Sequence, residues 1–309
     1  MKYIFGPVPS RRLGMSLGVD IIPFKTCTLD CIYCQLGVTT KKVIERENFV
    51  PQDEVLAELK QVLNQDSKRV DFITFSGSGE PTLNSQLGEM IANTKTFTDV
   101  PIAVITNGSL LYRDDVRNDL IKADLVVPSL DAMNDKTIRK VNRHNEYLTA
   151  KLIIDGLRDF TQEYKGKIWL EIMLVKGVND DFDEIKEMAE FIRSLKLDKI
   201  HLNTVIRPPA EDFAQPITSE EIQKIASLFD DRAEIIADFD KIVKTKELES
   251  SEILEAQILS LVNRRPCTLD DISTSTGLHH NEIVKHLDHL LQKGLIKQTR
   301  RDNKIYWLV

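Results

Sequence analysis

The chain has 309 residues, enough for one large domain or two unequal ones with a sizeable core. Its 41 basic and 48 acidic side chains give a formal charge of −7, which argues against holding nucleic acid by bulk positive charge. No apolar run approaches a membrane span, and Met1-Lys2-Tyr3-Ile4-Phe5-Gly6 is too soon interrupted for a secretory signal, so a cytoplasmic protein with no membrane partner is expected.

Residues 1–17 read as an irregular, turn-rich lead-in, Gly6-Pro7-Val8-Pro9-Ser10-Arg11-Arg12-Leu13-Gly14 in its middle. Arg11 and Arg12 are either solvated loop charges or a guanidinium that reaches an anionic group. A first strand over 17–22 then delivers the chain into Cys27-Thr28-Leu29-Asp30-Cys31-Ile32-Tyr33-Cys34. Thiolates at this CxxxCxxC spacing can wrap one face of a cube-shaped iron–sulfur cluster. Buried reduced thiols, or a zinc site with a distant fourth ligand, are the competing readings. The remaining cysteine, Cys267, lies far along the chain, so the local set leaves one iron of a [4Fe–4S] cluster without a protein ligand. An open metal position marks a chemical site rather than a structural one. Clustered thiols also fit a reducing compartment.

Pro51 opens a helix in which Val55, Leu56, Leu59, Val62 and Leu63 recur at helical spacing. A second strand over 70–75 runs into the loop Ser76-Gly77-Ser78-Gly79-Glu80-Pro81. Further strands are predicted over 102–106, 124–129, 168–175 and 199–205, with a short one over 234–237. Helices are predicted over 85–95, 113–122, 146–163, 182–195 and 218–229. Strands alternating with helices imply an α/β fold with parallel pairing through right-handed crossovers. Asn107 reads as a turn-former or a ligand contact, and Ser129-Leu130-Asp131 as a helix cap or a ligand contact. In the fifth strand Trp169, Glu171, Met173 and Val175 share a face; in the sixth, His201, Asn203, Val205 and Arg207 do. Polar side chains are costly against an apolar helix layer. Glu171, Asn203 and Arg207 are therefore expected to face the interior as cofactor or substrate contacts, with His201 as a packing residue.

The cysteine motif, with Tyr33 before its last member and the Gly79-Glu80-Pro81 loop downstream, resembles the radical S-adenosylmethionine (radical SAM) superfamily. The resemblance implies a partial (β/α)6 barrel with its chemistry at the C-terminal mouth of the strands. It implies a [4Fe–4S] cluster on Cys27, Cys31 and Cys34, whose open iron is chelated by the amino and carboxylate groups of S-adenosylmethionine. Reductive cleavage would give a 5′-deoxyadenosyl radical that abstracts hydrogen from a substrate, with the electron supplied by a donor of flavodoxin or ferredoxin type. It also implies that Glu80 accepts from the cofactor's ammonium, that Gly77 and Gly79 let backbone approach the cofactor, and that Tyr33 lies over the adenine edge. Asn107, Ser129 and Asp131 would then serve the ribose or the methionine carboxylate. The N-terminal text is similar to an Fe–S oxidoreductase subgroup related to the wyosine-type tRNA-modifying enzymes. Those enzymes carry upstream cysteines for a second cluster, and no cysteine precedes Cys27, which leaves tRNA, a protein or a small metabolite as the substrate.

Residues 1–240 would form this barrel and 241–247 a linker. Residues 248–309 read as helix, short helix ended by Gly277, helix, and a hairpin around Asp302-Asn303, a pattern that resembles a winged helix-turn-helix domain. Eight basic side chains there balance eight acidic ones, and the third helix carries Glu282 and Asp288, so docking of protein or nucleic acid is favoured over sequence-specific DNA binding. His279, His280, His286 and His289 invite a metal reading but, on a polar helix face, read rather as solvated, and Cys267 reads as a packed thiol. A second reading of the whole chain is a transcription regulator that uses the cluster as a redox sensor and the C-terminal domain as its DNA reader.

Overall fold

The computed structural model describes residues 2–10, 12–65, 70–206, 209–237, 248–301 and 304–309. The chain opens on an antiparallel pair, β1 (Ile4–Ser10) with β2 (Gly14–Val19). Two-residue strands β3 (Thr26–Cys27) and β4 (Lys41–Lys42) then pair within the cysteine loop. The main sheet continues through β5 (Phe72–Phe75), β6 (Ile102–Thr106), β7 (Leu125–Pro128), β8 (Lys167–Leu174), β9 (Lys199–Thr204) and β10 (Ala233–Ile235). Its order is β1-β2-β5-β6-β7-β8-β9-β10, and every pairing from β2 onward is parallel. This is the mostly parallel α/β fold that alternation of strand and helix predicts.

Among the described residues seven helices cross over between strands: α1 (Gln52–Gln65), α2 (Leu87–Thr94), α3 (Asp114–Leu120), α4 (Asp135–Val141), α5 (Ala150–Glu163), α6 (Phe182–Arg193) and α7 (Ser219–Ala226). Their apolar stripes, including Leu59, Met90, Leu120, Ile138, Phe160 and Ile192, share one core with the outward residues Leu17, Ile73, Val104, Val126, Leu170 and Ile200. The inner face of the sheet carries a smaller apolar layer, Leu13, Ala103, Leu125 and Val127 with Phe72, Ile105 and Trp169 beside it. Strand period places Glu171 on that face with Trp169, and the β8–β9 register sets His201 opposite Glu171 and Asn203 opposite Met173.

Several expectations need correction, among them the first strand, expected over 17–22 and found as β2 at Gly14–Val19. The N-terminal lead-in is strand β1, which tolerates Pro7 and Pro9 because it is an edge strand with a register irregularity between Phe5 and Val8. Helix α4 was hidden by its shortness, yet Asn134 caps it by accepting from the Thr137 amide at 2.9 Å. The helix expected from 146 begins at Ala150, because the Thr149 side chain caps it by accepting from the Leu152 amide.

The C-terminal residues form α8 (Leu248–Arg264), α9 (Leu269–Thr276), α10 (His280–Gln292) and the antiparallel pair β11 (Lys297–Arg301) and β12 (Lys304–Leu308). Residues 241–247, expected as a linker, and Asp302-Asn303, expected as the hairpin turn, lie outside the described residues. Ile258, Val262, Ile272, Ile283, Leu287 and Trp307 make a separate apolar core, and Phe24 and Leu36 of the cysteine loop pack against it. The expectation of solvated histidines fails. His279 stacks on Phe5 with ring centroids 4.4 Å apart and bonds Asp20 Oδ2 at 2.7 Å; His280 stacks on Phe24 at 4.2 Å. His289 Nδ1 lies 2.5 Å from Glu255 Oε1, and His286 is 3.7 Å from the same oxygen. The helix turns its polar side toward neighbours that a single sequence cannot reveal.

At its other edge this unit reaches the loop after β9, where Arg300 donates to the Ala210 carbonyl at 2.9 Å and pairs with Glu211. Among the described residues no helix is long and apolar enough to cross a membrane. Gly18 leaves room for Phe5, since a Cβ there would enter the Phe5 ring. Gly18→Ala is therefore expected to displace Phe5 from His279, costing about 1–3 kcal/mol and speeding amide exchange in α10. Unchanged thermal stability and exchange would show that this contact does not seat the C-terminal unit.

Candidate active site

The cysteine loop leaves the end of β2 and lies against the loop that follows β5. The Lys25 amide donates to the Ser78 carbonyl at 2.7 Å, and the Glu80 amide to the Thr26 carbonyl at 3.2 Å. A Cβ on Gly79 would overlap the Thr26 carbonyl, and one on Gly77 the Asp20 carboxylate. The glycines thus admit neighbours from this chain, a different reason from the ligand approach expected of them. Asp20 in turn accepts from the Ser78 amide at 3.0 Å and the Ser78 hydroxyl at 2.5 Å, so the contact with His279 reaches this loop as well.

Glu80 is buried at 2% exposure and meets four donors. Its Oε1 accepts from the Thr82 amide at 3.1 Å and from the Thr82 and Thr106 hydroxyls at 2.6 Å each, and its Oε2 from the Asn107 amide at 2.7 Å. Burial raises its carboxyl pKa, against the pull of those donors. The carboxylate therefore ties the loop after β6 to the loop after β5.

Each half-buried sulfur of the cysteine loop faces a nitrogen donor. Asn107 Nδ2 lies 3.5 Å from Cys27 Sγ, Asn142 Nδ2 lies 3.3 Å from Cys31 Sγ, and Lys25 Nζ lies 3.1 Å from Cys34 Sγ. Burial, with the Glu80 carboxylate adding to it, pushes the Cys27 thiol up to about 11, and burial with Asp131 raises Cys31 well above its usual range. Burial lowers the Lys25 ammonium, but the sulfurs, Cys34 foremost, outweigh it and the net shift is upward. Thiols of this kind become thiolates when a metal group binds them.

Among the described residues no three His, Cys, Asp or Glu side chains converge to hold one metal ion. The donor set is three cysteine sulfurs of one loop, each with a nitrogen donor beside it, which is the ligand chemistry an iron–sulfur cluster takes. Cys267 is 2% exposed in the C-terminal core, with Sγ 3.3 Å from the Arg265 carbonyl, and offers no fourth sulfur.

Tyr33 packs beside Val141, Val175 and Val205, and its hydroxyl donates to Asp131. Asp131, 4% exposed, also accepts from Asn142 Nδ2 at 2.7 Å and from the Met173 amide at 2.9 Å; burial raises its pKa. No helix begins at Ser129 or Asp131, so the cap reading is set aside; α4 starts after Asn134. Leu29, Tyr33, Asn107, Ser129, Asp131 and Asn142 line one cavity. On the inner face below, Glu171 pairs with Arg12 and accepts from Asn203 Nδ2 at 2.9 Å. Arg207 and Arg11 lie outside the described residues. Sequence reading missed Lys25, Asn142 and Asp20. Only Lys25 carried a local signal, its place two residues before Cys27.

His201 is 2% exposed, its ring meets Trp169 edge-on at 5.4 Å, and its Nδ1 has no hydrogen-bond partner among the described residues. Burial, with the Arg12 charge adding to it, lowers its pKa to about 4. The unfolded chain therefore takes up this proton as pH falls below about 6.5 while the fold refuses it until about 4. Stability should drop across that window by about 3 kcal/mol, and His201→Gln should flatten the drop. Urea unfolding at pH 7 and pH 4.5 checks this; equal losses in both proteins would contradict it.

The radical SAM superfamily profile matches residues 21–192, over half of the chain. The UPF0026 protein MJ1312 of Methanocaldococcus jannaschii is 34% identical over 322 aligned residues that take in 100% of this chain and 96% of that protein. A Brachyspira hyodysenteriae protein named GTPase Obg is 37% identical over 297 residues, 96% of this chain but 44% of its own length. The fold is similar to a radical SAM methyltransferase from Sphaerobacter thermophilus, with a TM-score of 0.54 at 20% identity over 73% of this chain and 67% of that one. The profile match fits what the sulfurs, their donors and the strand order already indicate, and the chain belongs to the radical SAM superfamily, as an enzyme whose cofactors are a [4Fe–4S] cluster and S-adenosylmethionine.

Proposed function

We propose that the chain reductively cleaves S-adenosylmethionine and uses the product to abstract hydrogen from a substrate C–H bond. In this reading residues 1–240 are a partial (β/α)6 barrel and 248–309 a winged helix-turn-helix unit joined by 241–247. The observation that carries it is the mouth built by the cysteine loop: three sulfurs, each met by one nitrogen donor, with the fourth cysteine in another core.

Cys27, Cys31 and Cys34 hold the cluster. The cluster and cofactor supply the homolytic chemistry when bound, fed by a low-potential donor of flavodoxin or ferredoxin type. Asn107 and Asn142 hold the sulfurs in place; Glu80 fixes the loops around them. Tyr33, Ser129 and Asp131, which stand together beside the cysteine loop, are read as contacts to the cofactor. Glu171, Asn203 and Arg12 face the interior as a polar patch for substrate, with Arg207 as a further contact.

The C-terminal unit is read as a docking or substrate-presenting module. A DNA reader needs a free face on its third helix, whereas His280 at the start of α10 stacks on Phe24 and Glu282 accepts from the Gly6 amide at 3.2 Å. That packing speaks against the transcription-regulator reading. The relation to tRNA-modifying enzymes keeps tRNA among the substrates, beside proteins and small metabolites.

Anaerobic reconstitution, reduction and addition of S-adenosylmethionine should yield 5′-deoxyadenosine, measured by chromatography. Cys34→Ala should lower the yield at least about a hundredfold, roughly 3 kcal/mol in barrier terms. A fully iron-loaded protein that forms none under reducing conditions would overturn the proposal.

A further inference from the structure

Two of the donors that meet the sulfurs are neutral amides and the third is a cation. The setting is anionic: three sulfurs that become thiolates on binding iron, with the Glu80 and Asp131 carboxylates at 2% and 4% exposure beside them. An electron delivered to a cluster here adds negative charge in a site shielded from water, where charges act strongly on one another. A cation held against one of the sulfurs favours the reduced form, since cluster potentials respond to local charge and to hydrogen bonds on sulfur.

Lys25 is placed for that task. It is 4% exposed, and its Nζ lies 3.1 Å from Cys34 Sγ. A buried ammonium is costly without a partner, and this one has a sulfur as its partner. Its backbone is left-handed, φ 57°, a conformation that glycine or asparagine adopts more readily than a long side chain. The amide is pinned to the Ser78 carbonyl at 2.7 Å, and its own carbonyl accepts from the Thr40 and Lys41 amides at 3.1 Å each. Nζ therefore springs from a fixed point. The nearby Arg143 guanidinium is taken up by Glu211, with Nη1 2.6 Å from Oε1, and by Asp30 at 3.7 Å.

We infer that Lys25 is a positioning residue for the electron: its ammonium on Cys34 sets the potential at which the cluster is reduced. The inference rests on Cys27, Cys31 and Cys34 as cluster ligands. The step it bears on is the addition of one electron from a low-potential one-electron donor, with no bond made or broken at Lys25.

The test is a redox titration, followed by electron paramagnetic resonance, of the anaerobically reconstituted full-length protein without S-adenosylmethionine. Wild type is compared with Lys25→Gln, Lys25→Met and Lys25→Arg after iron and sulfide are quantified in each. Lys25→Gln keeps a donor and removes the charge. It should hold wild-type iron and show about a tenfold lower reduced-to-oxidised ratio at a given potential, a shift of about 59 mV to more negative values for a one-electron couple. Lys25→Met should shift at least as far, and Lys25→Arg should stay within about threefold of wild type. Should only Lys25→Arg retain iron, the cation holds the cluster in place instead of tuning it, and the inference is overturned. An unshifted Lys25→Gln with full iron would overturn the inference, as would Lys25→Arg shifting as far as Lys25→Gln. Loss of iron from all three variants would also overturn it, by making Lys25 a structural residue. A wild type that shows no [4Fe–4S] signature would instead remove the cluster reading on which the inference rests.

Discussion

Two backbone hydrogen bonds hold the site together, Lys25 to Ser78 and Glu80 to Thr26. They exist because position 79 has no Cβ, so the Thr26 carbonyl can approach the loop after β5. Through them the cysteine loop becomes an extra edge on the mouth of the parallel sheet instead of a free excursion. Glu80 then carries the link onward to the loop after β6, where Asn107 returns to Cys27. A loop tied down by such bonds is held in one place relative to the sheet, which is the condition for precise placement of reacting groups.

The electrostatics follow from the same packing. Burial raises the affinity of the Cys27 and Cys31 thiols and of the Glu80 and Asp131 carboxyls for protons, so the mouth resists negative charge. A chain that gathers anionic groups in this way needs compensation. Asn107 and Asn142 give it through amide hydrogens, and Lys25 through a full charge. The C-terminal unit bears on the same region, because His279 bonds the Asp20 carboxylate that also holds Ser78.

Much of this was legible in the sequence. The strands from β5 to β9 read directly from short apolar runs, because parallel strands are covered on one face by helices and partly filled on the other. The cysteine spacing announced its chemistry. Strand period placed Glu171 and Asn203 on the inner face, where they meet. What failed had physical reasons. β1 looked irregular because its prolines are tolerated only on an edge, and being an edge is a property of the sheet, not of the segment. His279 and His280 looked solvated because their partners, Phe5, Asp20 and Phe24, lie far earlier in the chain, and His286 and His289 because Glu255 sits on another helix, separations beyond the reach of local periodicity. Asn142 gave no sign because its role comes from the fold bringing the end of α4 under Cys31.

The central claim is that three thiolates leave one cluster corner for S-adenosylmethionine. The most direct measurement is the electron paramagnetic resonance spectrum of the reduced, anaerobically reconstituted protein, recorded with and without that cofactor. The account predicts one [4Fe–4S] signal per chain whose shape changes when S-adenosylmethionine is added. A signal indifferent to the cofactor, or a single zinc ion in place of iron, would contradict it.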